Sequence, residues 1–359
     1  MTKHRRPARF GVRIFQAADE SFQQVVHRTY FLEKAGFDSA FLDDHLLYGT
    51  GQAAAPEPFT TIANLAAQTR TIKMGVAVTD LVRRHPAIVA QTAATLTAMF
   101  PGRVFLGLGA GDPMNQAPFG MPTDYRYGKL EEGLTVMKIL WDSTIERPAT
   151  FKGQFYSLKN AHLQIPRSSP VPIYLAAFGD KMLRLTGAQA DGWIPHCHNT
   201  ETYREDLAKI RESANEAQRQ LRLFNPAYYT LASVSKQRAE ADKQILGPAR
   251  YFLALIPEAL RKVDPSAPHP GRIWERLDNP KAQRRVIHKI AQSIPEQTAF
   301  DTVIHGTPDD CIQQVERFQK VGCRELMLTF VPEGGLWSTK GILPQARVFI
   351  EKVASYFRE

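Results

Sequence analysis

The chain has 359 residues, of which 43% are hydrophobic and 23% charged, a composition that suits a globular fold and excludes a disordered one. No stretch reaches the roughly 18 apolar residues that span a bilayer. The basic start MTKHRRPARFGV also lacks the apolar core of a secretory signal, so a cytoplasmic protein without a membrane partner is expected. The formal charge of +9 is spread along the chain without a nucleic-acid motif, which suits attraction of an anionic cofactor or substrate better than binding of RNA or DNA.

Short β-branched runs alternate with longer amphipathic stretches, the pattern of parallel strands joined by crossover helices. The first strand is read over Arg9–Gln16. Asp19 and Ser21 can cap a helix that carries Phe22, Val25, Val26, Tyr30 and Leu32 and stops at Gly36. The second strand, Ser39–Leu42, delivers Asp43, Asp44 and His45 at its C-terminal end. A Gly/Ala/Pro-rich loop over 49–58 leads to a helix from Phe59 to about Thr69. The third strand is Ile72–Thr79, followed by Arg83, Arg84 and His85 and a helix with Pro86 in its first turn. The fourth strand is Val104–Gly109, with a helix over Tyr125–Trp141. A hairpin with arms at Thr150–Phe151 and Phe155–Tyr156 precedes the fifth strand, Ile173–Ala177. The sixth strand is Trp193–Pro195 and the seventh Ala227–Ser233. Residues 236–300 are helical and poor in strand signal, an insertion suited to lie over one barrel end. A helix over Pro308–Lys320, the eighth strand Glu325–Phe330 and a closing helix near Pro344–Phe357 complete the chain. Eight such units predict an α/β fold, a (β/α)8 TIM barrel with insertions, as one domain over residues 1–359, its active site at the C-terminal strand ends. A doubly wound open sheet is the weaker alternative, because no G-x-G-x-x-G follows the first strand.

Several segments can carry chemistry. In Asp43-Asp44-His45 an imidazole can move a proton near neutral pH and a carboxylate can orient it, although on the triplet alone a hydrogen-bonded turn is the favoured reading. In the run LGLGAGD, Gly109, Ala110 and Gly111 let a planar or phosphorylated ligand approach, and Asp112 points out of the strand end. Tight loops need glycine too. Ala176, Ala177, Phe178, Gly179, Asp180 and Lys181 lie where a strand ends and a helix opens, a place where free N–H groups bind phosphate. Asp180 is otherwise a plain helix cap. Arg83 and Arg84 can be surface charges, and Arg84 or His85 can equally reach back to the helix start or a neighbouring loop. His196 and His198 flank Cys197 after the sixth strand, and only one of them is expected to face the mouth. No ligands converge on them and no metal is expected. Cys197, Cys311 and Cys323 form no paired spacing, which fits a reducing compartment without disulfides.

Taken in order, AGFDSAFLDDH, TRTIKMGVAVTDLVRRHPAIVAQTAATL, GRVFLGLGAGD, VPIYLAAFGDKMLRLTGAQADGW and HGTPDDCIQQV resemble the luciferase-like superfamily of flavin- and deazaflavin-dependent oxidoreductases. The resemblance runs nearly end to end and is nearest to the branch that uses coenzyme F420, such as methylenetetrahydromethanopterin reductases and phthiodiolone ketoreductases. It implies a deazaflavin ring at the barrel mouth, backed by Ala77, Val78 and Thr79, with a non-proline cis bond between Ala77 and Val78. It implies a phosphate near Gly109–Gly111 and Ala176–Lys181. Asp44 and His45 match the family's aspartate–histidine pair, and Asp112 its acidic residue after the fourth strand. The implied reaction is hydride transfer between the deazaflavin C5 and a carbonyl, imine or activated alkene, with His45 or Asp112 handling the proton and Asp44 beside them. The sugar-phosphate dehydrogenases of the family carry a tryptophan four residues after the histidine, where this chain has Gly49, which speaks against a sugar-phosphate substrate. The same scaffold also serves FMN-dependent monooxygenases, and a non-catalytic cofactor-binding barrel is the alternative of another class. A homodimer is expected, with Ile62, Leu65 and Ala66 either on its face or in the core.

Overall fold

Eight parallel strands close side to side into a ring in a computed structural model that describes residues 8–48, 53–165, 170–267 and 280–358. They are β1 (Arg9–Arg13), β2 (Ser39–Leu42), β3 (Lys73–Asp80), β4 (Val104–Gly109), β5 (Ile173–Leu175), β6 (Gly192–Trp193), β7 (Asn225–Val234) and β8 (Glu325–Phe330). Each pairs with the next, and Arg9 to Val12 of β1 lie opposite Glu325 to Leu328 of β8, which closes the barrel. Every residue of β2, β4 and β8 is buried, because one face meets the helices and the other the lumen. The lumen is filled in layers. At the N-terminal end Ser39 Oγ and Asn225 Nδ2 donate to the two oxygens of Glu325, at 2.5 and 2.6 Å. Above lies an apolar layer of Phe41, Ala77, Phe105, Ile194, Ala227 and Met327.

The outer helices follow from caps and apolar faces. α1 (Phe22–Ala35) starts at a reciprocal Ser21–Gln24 capping box and stops at Gly36, whose φ of 107° favours glycine. α2 (Pro58–Ala67) turns Ile62, Leu65 and Ala66 inward to 0–2% exposure, so they are core residues and furnish no subunit face. α3 (Pro86–Met99), α4 (Arg126–Asp142), α5 (Asp180–Gln189) and α6 (Thr200–Glu216) complete the wall up to β7. α11 (Pro308–Lys320) and α12 (Ile342–Phe349) flank β8.

The insertion forms α7 (Arg238–Leu255), α8 (Pro257–Val263), α9 (Pro280–Ser293) and α10 (Glu296–Phe300). Ile245, Leu253, Leu260, Ile290 and Ile294 build a separate apolar cluster. That cluster closes on Cys197, Val331 and Leu336, which follow the C-terminal ends of β6 and β8, so the insertion covers the mouth side as expected.

Several boundaries differ from the sequence pattern. The first strand ends at Arg13, and Gln16–Ala17 instead pair antiparallel with Ala53–Ala54. The hairpin arms are Ala149–Lys152 and Ser157–Ala161, because the N–H groups of Gln154, Phe155 and Tyr156 are taken by the Glu132 carboxylate and make the bend. The sixth strand is only Gly192–Trp193, since Pro195 offers no N–H to the ladder. A short strand, Ile304–Gly306, adds to β7 beside Ala232–Val234; three residues carry too little pattern to be read. Among the described residues no helix is long and apolar enough to cross a membrane, and no group of His, Cys, Asp and Glu could hold a metal.

One buried contact launches β3 and with it the site. Glu33 of α1 accepts from the N–H groups of Arg70, Thr71 and Ile72 at 2.8, 2.7 and 3.0 Å. Burial pushes the Glu33 carboxyl up, but these bonds outweigh it and hold its pKa below the ordinary range. Glu33→Ala should cost about 2–4 kcal/mol, since buried donors lose their acceptor. A depressed folded-state pKa stabilises above the unfolded value and is lost as pH falls through the folded one. Urea unfolding should therefore show a large gap between wild type and Glu33→Ala near neutrality, and a shrinking gap in acid.

Candidate active site

Successive side chains leave a strand on opposite sides, so Asp43 and Asp44 part company at the end of β2. Asp43 meets Arg13 of β1 in a two-pronged pair, Nε to Oδ1 at 3.0 Å and Nη2 to Oδ2. The Arg13 guanidinium lies over Trp337 at 4.9 Å and Phe15 at 5.3 Å, and Tyr48 Oη donates to Asp43 Oδ2 at 3.2 Å. Burial works to lower the Arg13 pKa, and the Asp43 carboxylate more than reverses it. His196 stacks on Tyr229, ring centroids 4.6 Å apart. Its Nδ1 faces the Tyr229 carbonyl at 3.1 Å and so carries the hydrogen, while burial pushes its pKa down to about 4 and keeps the ring neutral. His198 turns away to Asp206, 2.9 Å from Nε2, so one histidine of the two borders the lumen; Cys197 between them has a φ of 57°, outside any strand, and this turns the two rings apart.

Asp44 is a hub. Thr79 Oγ1 of β3 donates to its Oδ2 at 2.5 Å, Arg84 Nε to the same oxygen at 2.8 Å, and Arg83 Nη1 to Oδ1 at 3.2 Å. Burial pushes the Asp44 carboxyl up, but the Arg84 hydrogen bond, the Arg83 charge and the Thr79 hydroxyl together hold it below the ordinary range. Arg83 and Arg84 are thus not idle surface charges. Arg83 also binds Asp80, Nε to Oδ2 at 2.5 Å, and Arg84 reaches Glu57 at 2.9 Å.

Between Asp44's partners and β4, the backbone of β3 bulges. The Ala77–Val78 peptide bond is cis, as the resemblance implied, and the register with β4 skips from Val76↔Leu106 to Thr79↔Leu108. The glycines of LGLGAGD serve this bulge. A Cβ on Gly107 would collide with the Val76 carbonyl, and one on Gly109 would stand 2.9 Å from Val78 Cγ2. Gly111 has φ 98° and its carbonyl accepts from Arg126 Nη1 at 2.8 Å; Ala110 sits half-buried between the two glycines.

Asp112 caps a short 3-10 turn, Pro113–Asn115, accepting from the Met114 N–H at 2.9 Å. Asn115, buried at 1% exposure, joins the two candidate proton carriers. Its Nδ2 lies 3.2 Å from Asp112 Oδ2 and 2.8 Å from His45 Nδ1. The His45 ring packs against Tyr48 with centroids 4.7 Å apart. The sequence pattern missed Asn115, Arg13, Tyr48, Tyr229 and Trp337. Only an arginine inside the apolar strand RFGVRIF offered a signal.

Across the mouth, Gly179 is the N-cap of α5 and no side chain caps that helix. Asp180, the candidate cap, pairs instead with Lys209 at 2.7 Å. A Cβ on Gly179 would meet nothing within 4 Å, so the helix start is open. Ala176 N–H extends β5 by bonding to the Leu108 carbonyl at 2.9 Å, and the Ala177 carbonyl accepts from Trp193 Nε1 at 3.0 Å. Phe178 stacks on His198 at 5.9 Å, and Lys181 Nζ stands 6.0 Å from the Tyr127 ring centre. Gly49 lies outside the described residues.

Residues 7–325 match the family model described as luciferase-like monooxygenase. The chain belongs to the luciferase-like family. It is 31% identical to the F420-dependent glucose-6-phosphate dehydrogenase of Beutenbergia cavernae over 325 residues, 87% of this chain and 89% of that protein. It is 29% identical to the phthiodiolone/phenolphthiodiolone dimycocerosates ketoreductase of Mycobacterium tuberculosis, covering 81% of this chain and 79% of the other. Its fold matches an F420-dependent secondary alcohol dehydrogenase in complex with an F420–acetone adduct, with a TM-score of 0.78, 24% identity, and 97% of this chain and 98% of that one covered. The coenzyme F420-dependent tetrahydromethanopterin reductase of Methanopyrus kandleri gives 0.77 at 20% identity, covering 98% and 99%.

Asp44→Ala would leave Arg83 and Arg84 without their shared counter-charge, a loss of about 3–5 kcal/mol for a buried pair. Because the folded Asp44 pKa is depressed, the stability it confers is present near neutral pH and fades in acid. Thermal unfolding at two pH values should show the variant's deficit at neutrality and convergence with wild type in acid.

Proposed function

We propose that this chain is a cytoplasmic coenzyme F420-dependent oxidoreductase of a small-molecule carbonyl, imine or activated alkene. The observation that carries this reading is the agreement of F420-dependent relatives over nearly nine-tenths of both chains. When bound, reduced F420 supplies a hydride from C5 of its deazaflavin ring. The mouth suits such a group. Ala77, Val78 and Thr79 form a rigid bulge held by Asp44 on one side and by Gly107 and Gly109 on the other. The uncapped, open start of α5 at Gly179, Asp180 and Lys181 leaves backbone N–H groups for a phosphate. Gly109, Ala110, Gly111, Ala176, Ala177 and Phe178 line the ground between bulge and helix start. His45 and Asp112 are the groups that hold or move the proton, and Asp44 fixes the loop that presents His45.

A homodimer suits the family. Ile88 and Met99 of α3, each 56% exposed, supply apolar surface that Ile62, Leu65 and Ala66 do not. The buried free thiols of Cys197, Cys311 and Cys323 suit a reducing cytoplasm.

Titration with oxidised F420 and with FMN tests the cofactor; saturable F420 binding with weak or no FMN binding is expected, and the reverse overturns the reading in favour of a flavin monooxygenase. Gly179→Val should weaken F420 binding about tenfold, roughly 1.4 kcal/mol, with an unchanged melting temperature, because the added side chain meets open space. His45→Ala should lower kcat more than it weakens cofactor affinity, because a proton-handling group acts chiefly in the transition state.

A further inference from the structure

The amide of Asn115 can be oriented in one way only. Its Oδ1 accepts from two backbone donors, the N–H of Leu46 at 2.7 Å and that of Leu47 at 3.1 Å. The other atom is therefore the NH2, a donor without acceptor capacity. One of its hydrogens goes to Asp112 Oδ2 at 3.2 Å and the other points at His45 Nδ1, 2.8 Å away. A donor facing Nδ1 requires a lone pair there. The neutral His45 ring must then carry its hydrogen on Nε2.

The groups around His45 reinforce that choice. Asp43 is occupied by Arg13 and Tyr48, and Asp44 by Thr79, Arg83 and Arg84. Asp112 reaches the ring only through Asn115. Tyr48 touches the ring by its face. Among the described residues no acceptor competes for a hydrogen on Nδ1, and Nε2 has no protein partner and is not enclosed.

We propose that Asn115 is a positioning residue that locks His45 as a neutral Nε2–H donor, so that the site is set to hydrogen-bond the oxygen or nitrogen of a carbonyl or imine substrate as that atom gains negative charge. This rests on the reading of His45 as the residue at the substrate. A neutral imidazole donor polarises a C=O or C=N bond without having to be protonated first. Substrates with a heteroatom acceptor at the reacting carbon are therefore favoured over plain alkenes.

The tautomer is read directly by 15N spectra of the full-length protein labelled at histidine, with His45→Gln to assign the signal. At a pH where the ring is neutral, a protonated Nε2 and an unprotonated Nδ1 are expected; the opposite tautomer overturns the proposal. Asn115→Asp is isosteric and can still accept from Leu46 and Leu47, but once ionised it offers His45 an acceptor in place of a donor; because the new carboxyl lies beside Asp112, the spectra are followed upward in pH until both carboxyls are ionised. The variant should invert the tautomer and lower carbonyl reduction on the order of 10²-fold, the usual scale for losing a hydrogen-bond donor to a developing negative charge. F420 affinity should stay within about threefold, since a factor of three is only ~0.65 kcal/mol. An unchanged tautomer in the variant, or an inverted tautomer with full reductive turnover, overturns the proposal. Should Asn115→Asp fail to fold, the wild-type spectrum still decides. The spectra need no cofactor, so a failure of the F420 reading appears in the cofactor titration alone.

Discussion

Asp44 is the point on which the mouth depends. One buried carboxylate receives a hydroxyl from β3 and two guanidinium groups from the loop behind it. An unpaired carboxylate in that place would be costly, and without it Arg83 and Arg84 would keep only Asp80 and Glu57, one partner each. The geometry of Asp44 and its partners fixes where β2 ends relative to β3, and with it the loop that carries His45. Asp43, one residue earlier, applies the same logic to the lumen, where it neutralises Arg13 beneath the mouth.

The bulge in β3 and the glycines of β4 are two halves of one fitting. A side chain at Gly107 would occupy the space of the Val76 carbonyl, and one at Gly109 would press on Val78. Glycine in a strand often marks close approach of another backbone, and here the neighbouring strand fills that space. The sequence pattern set Gly109 near a ligand; the structure gives it a second task, making room for Val78 of the neighbouring strand.

Much of the barrel was legible because buried parallel strands leave long apolar runs, as in Val104–Gly109 and Glu325–Phe330, where every residue is enclosed. The short pieces were not. Ile304–Gly306 is a strand only because β7 extends far enough to pair with it, and the hairpin bend at Gln154–Tyr156 is set by Glu132, a residue of another helix. The site divides in the same way. Asp44, His45 and Asp112 stand at strand ends and could be named from pattern. Arg13, Tyr48, Tyr229 and Trp337 meet only after the ring closes, and Asn115 looks like any turn residue until two backbone donors fix its amide.

The helices between 238 and 300 pack around their own apolar cluster and meet the barrel along β7, where Leu231 joins the cluster, and at residues that follow its strands, Cys197, Val331 and Leu336. The lower storey, with its ion pairs and glycine-fitted bulge, tolerates little change, because each part is fitted to another. The upper storey is fitted to itself except where α7 lies on β7. Substitutions among its other helices can reshape the cover over the mouth while the ion pairs below are left intact. A lineage can in this way keep one chemistry and exchange the molecules on which it is practised.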